Sequence, residues 1–139
     1  MVRHRHRRAF RLSAVAVLAV VGGATAWAEP AGGSRERGAR IVADGQRGNC
    51  SVCHQIPGLG QSADAQGDIG PPLDGVASRY SVEELRLRVI DPRRVKRDTV
   101  MPAYGVSDGL FDVQLSYRGK PILTAQEIED VVAYLETLK

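Results

Sequence analysis

One five-residue segment constrains this chain more than any other: Cys50-Ser51-Val52-Cys53-His54. It holds both cysteines of the 139-residue chain, with a histidine directly after the second. Two thiols and an imidazole confined to about one helical turn oblige the rest of the chain to fold around whatever they hold. C-x-x-C-H is the attachment signature of c-type haem. The spacing has a chemical reason. Thiols a turn apart add across the two vinyl groups, and the adjoining imidazole is carried beneath the iron as a ligand.

Three other chemistries use paired cysteines. A thioredoxin-like redox pair needs a βαβ setting, and no such alternation is present. A zinc site needs about four ligands, and past the N-terminus there is no third Cys and no second His. A structural disulfide is allowed outside the cytoplasm, but a two-residue spacer closes too small a loop to stabilise much.

The N-terminus predicts export. Positions 1–11 are basic, positions 12–21 are an apolar and small-residue run, and Ala24-Thr25-Ala26 and Ala26-Trp27-Ala28 are small-x-small sites. That order is a secretory signal peptide, with 1–28 removed and 29–139 left as one cytochrome-sized domain in the periplasm. An uncleaved anchor is the competing reading, but the apolar run is short. Arg7-Arg8-Ala9-Phe10 resembles part of a twin-arginine signal. Haem attachment outside the cytoplasm needs an unfolded arrival, which disfavours that route.

Cleavage changes the charge argument. Five of the 19 Lys and Arg residues leave and none of the 16 acids, so the formal net charge passes from +3 to −2. A nucleic-acid partner loses its electrostatic support. No later stretch approaches the length of a membrane span. One Phe and no Trp remain, so large core-filling groups are scarce and a buried cofactor would make up the volume.

Capping boxes place two helices. Ser81-Val82-Glu83-Glu84 opens one, with Val82, Leu85, Val89 and Ile90 on its apolar face and Asp91-Pro92 closing it. Thr124-Ala125-Gln126-Glu127 opens the other. Ile128, Val131, Val132, Leu135 and Leu138 follow at helical spacing, predicting a helix that runs to the C-terminus. A short helix is expected over 35–44, after a flexible leader over 29–34. The Gly- and Pro-rich 57–72 segment reads as a loop. Phe111, Val113, Leu115 and Tyr117 alternate with polar residues, as one short strand or an extended loop.

Two further residues concern the iron. Met101 is the only methionine after cleavage and precedes Pro102 outside the helical patterns. A lone Met is ordinarily core filler, but a haem needs a second axial partner and no second His exists. Met101 is the expected ligand; Lys96, Lys120, a tyrosine or an open site are the alternatives. His/Met ligation raises the reduction potential and favours electron transfer over substrate binding. Gly70-Pro71-Pro72-Leu73 follows His54 by sixteen residues. The Pro71 carbonyl is a candidate acceptor for the other imidazole N–H, or the segment is an ordinary rigid loop. Arg93, Arg94, Lys96 and Arg97 form either a solvated turn balanced by Asp91 and Asp98 or a patch that steers an acidic partner or an anionic sulfur compound.

Taken together, Gly48-Asn49-Cys50-Ser51-Val52-Cys53-His54, Ile69-Gly70-Pro71-Pro72-Leu73, Thr99-Val100-Met101-Pro102 and the stretch from Gly119-Lys120-Pro121 through Thr124-Ala125-Gln126-Glu127-Ile128 to Leu135 resemble the SoxX family. Its members are the monohaem cytochrome c subunits of SoxAX thiosulfate-oxidising complexes. The resemblance covers positions 45–139. It implies an all-α, class I cytochrome c fold around one covalent haem c, with thioethers at Cys50 and Cys53 and His54 and Met101 axial.

It also implies a periplasmic heterodimer with a SoxA-like haem subunit. That pair couples thiosulfate oxidatively to a cysteine of a carrier protein and passes the electrons to a downstream acceptor. On this reading the chain accepts electrons and is not catalytic alone. The Tyr104–Tyr117 stretch, with Leu110, Phe111, Val113 and Leu115, either meets the partner or packs over the haem. A free-standing periplasmic electron shuttle shares the haem chemistry and differs only in its partner.

Overall fold

The computed structural model describes residues 32–111 and 113–139, so the export signal expected over 1–28 lies outside the described residues. Among the described residues four helices run in chain order: α1 (Arg35–Ala43), α2 (Val76–Arg79), α3 (Val82–Ile90) and α4 (Ala125–Leu135). Short 3-10 turns at Cys50–Val52, Ala63–Ala65, Pro92–Arg94 and Leu115–Tyr117 punctuate the connections.

The capping boxes form as the residues dictate. Ser81 Oγ accepts from Glu84 N while Glu84 Oε2 accepts from Ser81 N. Thr124 and Glu127 repeat the exchange at the head of α4. Each satisfies N–H groups that the first helical turn leaves without partners. α3 stops at Ile90, where Asp91 takes an extended φ of −153° and its side chain accepts from Arg93 N.

α1 crosses α4, and glycine makes the crossing possible. A Cβ at Gly38 would lie 1.9 Å from the Asp130 carbonyl oxygen, and one at Gly33 2.0 Å from that of Glu129. Beside this contact Arg37 grips the Asp130 carboxylate with two hydrogen bonds, Nε to Oδ2 at 2.7 Å and Nη2 to Oδ1 at 2.8 Å. Ser34 N adds a third at 2.8 Å. Asp130 is 2% exposed, and the Arg37 hydrogen bonds hold its carboxyl down at about 2. Ser34 also caps α1, so the leader's last residue is anchored.

The aliphatic core joins Val42 of α1, Val76, Leu85 and Val89, and Ile128, Val131, Val132 and Leu135 of α4. Among the described residues Tyr104 is the one aromatic side chain buried in it.

One expectation is corrected and one open alternative is settled. α4 does not run to the C-terminus: it ends at Leu135, and Leu138 turns back into the core while its carbonyl accepts from Ala77 N at the start of α2. No strand forms over 111–117 among the described residues. Period-two alternation makes a strand only where another strand pairs with it. Here the segment ends in a 3-10 turn, with Phe111 91% and Leu115 76% exposed.

Candidate haem site

The cysteine motif sits on a single 3-10 turn. Asn49 enters it in the left-handed region, φ 47°, where Asn is one of few side chains tolerated. Cys53 N and His54 N both bond back to the Cys50 carbonyl, at 3.2 and 3.0 Å. Both cysteines are free of disulfide. Burial, reinforced by neighbouring Cys53, pushes the Cys50 thiol up to about 11. A redox thiol requires the opposite shift, which weighs against the thioredoxin-like chemistry.

His54 is oriented from the far side of a loop. Its Nδ1 lies 2.7 Å from the Pro71 carbonyl oxygen. A carbonyl only accepts, so Nδ1 donates and Nε2 keeps its lone pair for a metal. The loop itself is pinned alongside the motif: Gly67 N to Ser51 O, Gly70 N to Cys53 O and Leu73 N to Gln55 O are each 2.8 Å. Gly70 lies against the imidazole, where a Cβ would fall 2.3 Å from His54 Cε1. Ile56, just past the motif, is gripped by the Gln66 side-chain amide through both its N–H and its carbonyl.

Met101 approaches from the other half of the chain. Its N–H bonds to Thr99 Oγ1 at 3.2 Å, and the side chain packs half-buried against the core. The residues after it are held by backbone bonds, Tyr104 N to Val89 O, Gly105 N to Ile90 O and Leu123 N to Tyr104 O. The Tyr104 hydroxyl then reaches the Gly48 carbonyl at 2.7 Å, and Tyr117 donates to Gln46. Burial drives the Tyr104 phenol well above its ordinary range, so it stays a protonated donor.

These elements surround one cleft of about 1120 Å³. Cys50, Cys53, His54, Pro71 and Met101 all line it, as do Lys96, Lys120 and Tyr80. Lys96 and Lys120 are exposed, so hydration competes for their amines, whereas the Met101 thioether already packs with the apolar residues. The basic cluster divides. Arg93 binds the Asp91 carboxylate at 2.7 Å and donates to the carbonyls of Gly109 and Asp108. It therefore ties the 105–120 loop to the end of α3, a role that spacing alone did not reveal. Arg94, Lys96 and Arg97 face solvent.

A covalent haem fits this set: two thiols on one turn, an imidazole with its metal-binding nitrogen free, a lone thioether, and a largely apolar cleft of cofactor size. Fold and site together define a small class I c-type cytochrome. The cytochrome c family model matches residues 35–139, and the chain belongs to that family; its cofactor is haem c. Among solved structures it is similar to a chain in the crystal structure of SoxXA from P. pantotrophus. The two are 41% identical, with a TM-score of 0.70, over 78% of this chain and 84% of that one. No curated protein matches. Among the described residues no helix is long and apolar enough to cross a membrane.

Proposed function

We propose that this chain is the monohaem electron-transfer subunit of a SoxXA-type sulfur-oxidising complex. The observation that carries the reading is the 41% identity to a SoxXA chain, spanning 78% of the sequence. The site agrees in chemistry. Cys50 and Cys53 would hold the haem as thioethers, and His54 and Met101 would ligate its iron. The Pro71 carbonyl fixes the His54 tautomer, and a more basic imidazole binds iron more strongly.

Bound there, haem supplies a one-electron couple. The protein's part would be to ligate the iron through His54 and Met101 and to hold the ring in a largely apolar cleft, which suits electron transfer rather than substrate binding. With both cysteines committed, no thiol remains to bond sulfur. The thiosulfate chemistry then belongs to a SoxA-like haem partner and a carrier-protein cysteine, and the chain receives the electrons for a downstream acceptor. The export signal over 1–28 places the 29–139 domain in the periplasm.

The test is purification of the exported chain with its neighbours. Co-purification with a larger haem subunit, and haem reduction by thiosulfate only in that subunit's presence, is the expected result. A chain that purifies alone and is reduced equally by unrelated donors is a free-standing shuttle instead.

A further inference from the structure

Three arginines line the cleft, and two are satisfied. Arg47 is paired with Glu127, and Arg79 donates to the carbonyls of Asp74 and Pro72. Arg88 is not. Its Nε is sealed from solvent and has no hydrogen-bond partner among the described residues. Its guanidinium lies over the Tyr80 ring, 4.1 Å from the centroid. Glu84, one turn earlier on α3, is occupied by Ser81. A half-buried guanidinium with no carboxylate beside it among the described residues loses hydration for little in return, so a native fold retains one where something else answers its charge.

The position is rigid. Arg88 stands in the last turn of α3 between Leu85 and Val89, both buried in the core. Stacking on Tyr80 holds the guanidinium plane. Within the cleft the group that can answer a guanidinium is a carboxylate, and haem carries two as propionates. We propose that Arg88 is the counter-ion of a haem propionate: the terminal N–H groups of its guanidinium donate to the carboxylate, and Tyr80 sets the angle. The proposal rests on the haem c assignment. A fixed cation beside the ring favours the reduced, less positive haem, and low-dielectric surroundings strengthen the effect. Arg88 is thus a positioning residue that also raises the potential.

The test compares haem-loaded wild type with Arg88→Gln and Arg88→Lys, by redox titration and by infrared difference spectra of the carboxylate stretches. In Arg88→Gln the oxidised form should gain up to about tenfold, a fall of about 59 mV for one electron, and a propionate band should move. Arg88→Lys should hold most of the potential yet still shift that band, because it lacks the planar guanidinium fork. It keeps the test alive if Arg88→Gln loads poorly. Unchanged potential and unchanged bands in the loaded variants would overturn the pairing alone. A wild-type chain without covalent haem would overturn the cofactor assignment, and the pairing with it.

Discussion

The Tyr104 hydroxyl donates to the Gly48 carbonyl at 2.7 Å, a buried bond between residues 56 apart in the chain. It joins the Met101 side of the cleft to the turn that carries Cys50, alongside the Tyr117 hydroxyl's bond to the Gln46 carbonyl.

Tyr104→Phe keeps the ring and removes that donor, leaving the Gly48 carbonyl without its partner. A loss of about 1–2 kcal/mol is expected, read as a lowered denaturant midpoint. The Met-iron charge-transfer band should also become more easily lost on warming. Unchanged stability in the variant would show that the bond does not help to hold the two sides together.

Asp130 makes an acid-sensitive contribution. Its folded value of about 2 lies below an unfolded Asp near 3.9. Its stabilisation is therefore complete above about pH 4 and is lost as pH falls through 2. About 2 kcal/mol is involved, since the carboxylate is 2% exposed. Asp130→Asn should shrink the difference in unfolding free energy between pH 5 and pH 2 by about that amount. A variant with the wild-type acid profile would contradict this.

Gly70→Ala would place a methyl 2.3 Å from the His54 ring. The imidazole must tilt or leave the Pro71 carbonyl, so holoprotein yield should fall and the axial-ligand spectrum broaden. The nearby Gly60→Ala is no control, because Gly60 has φ +78°, whereas Gly32→Ala meets nothing within 4 Å and should leave both unchanged.

How legible the molecule is from sequence varies with the range of the forces involved. α3 and the start of α4 are readable because a capping box is local: Ser81 with Glu84 and Thr124 with Glu127 lie three residues apart. α2 is not, since four residues carry no periodicity. The Arg37–Asp130 pair and the close approaches at Gly33 and Gly38 depend on how two distant helices cross, which no local pattern encodes. The alternation over 111–117 misleads because it reports spacing without saying whether a partner strand exists. At the site, the cysteine turn, the place of Met101 on the cleft and the Pro71 carbonyl beside His54 are legible from spacing and chemistry. The Gly70 contact with the imidazole, the Arg93 tie to the 105–120 loop and the unpaired Nε of Arg88 were not, because each is a tertiary juxtaposition.

Arg94, Lys96 and Arg97 lie exposed near Met101, while Arg93 is engaged with Asp91. If the free three steer an anionic donor, haem reduction should slow as ionic strength rises from 0.01 to about 0.15 M, over which the screening length shrinks from about 30 to 8 Å. A rate independent of salt would make them a solvated turn.

Met101→Ala should abolish the charge-transfer band at the red end of the oxidised spectrum while the thioether attachment survives. Were that band missing from the unsubstituted protein, Met101 would not be the axial ligand.

The most direct test of the account is the mass of the Cys50–His54 peptide from protein made in a host competent for cytochrome maturation. The account predicts one haem attached through both sulfurs, with neither thiol open to alkylation. A colourless product whose two cysteines both alkylate would contradict it.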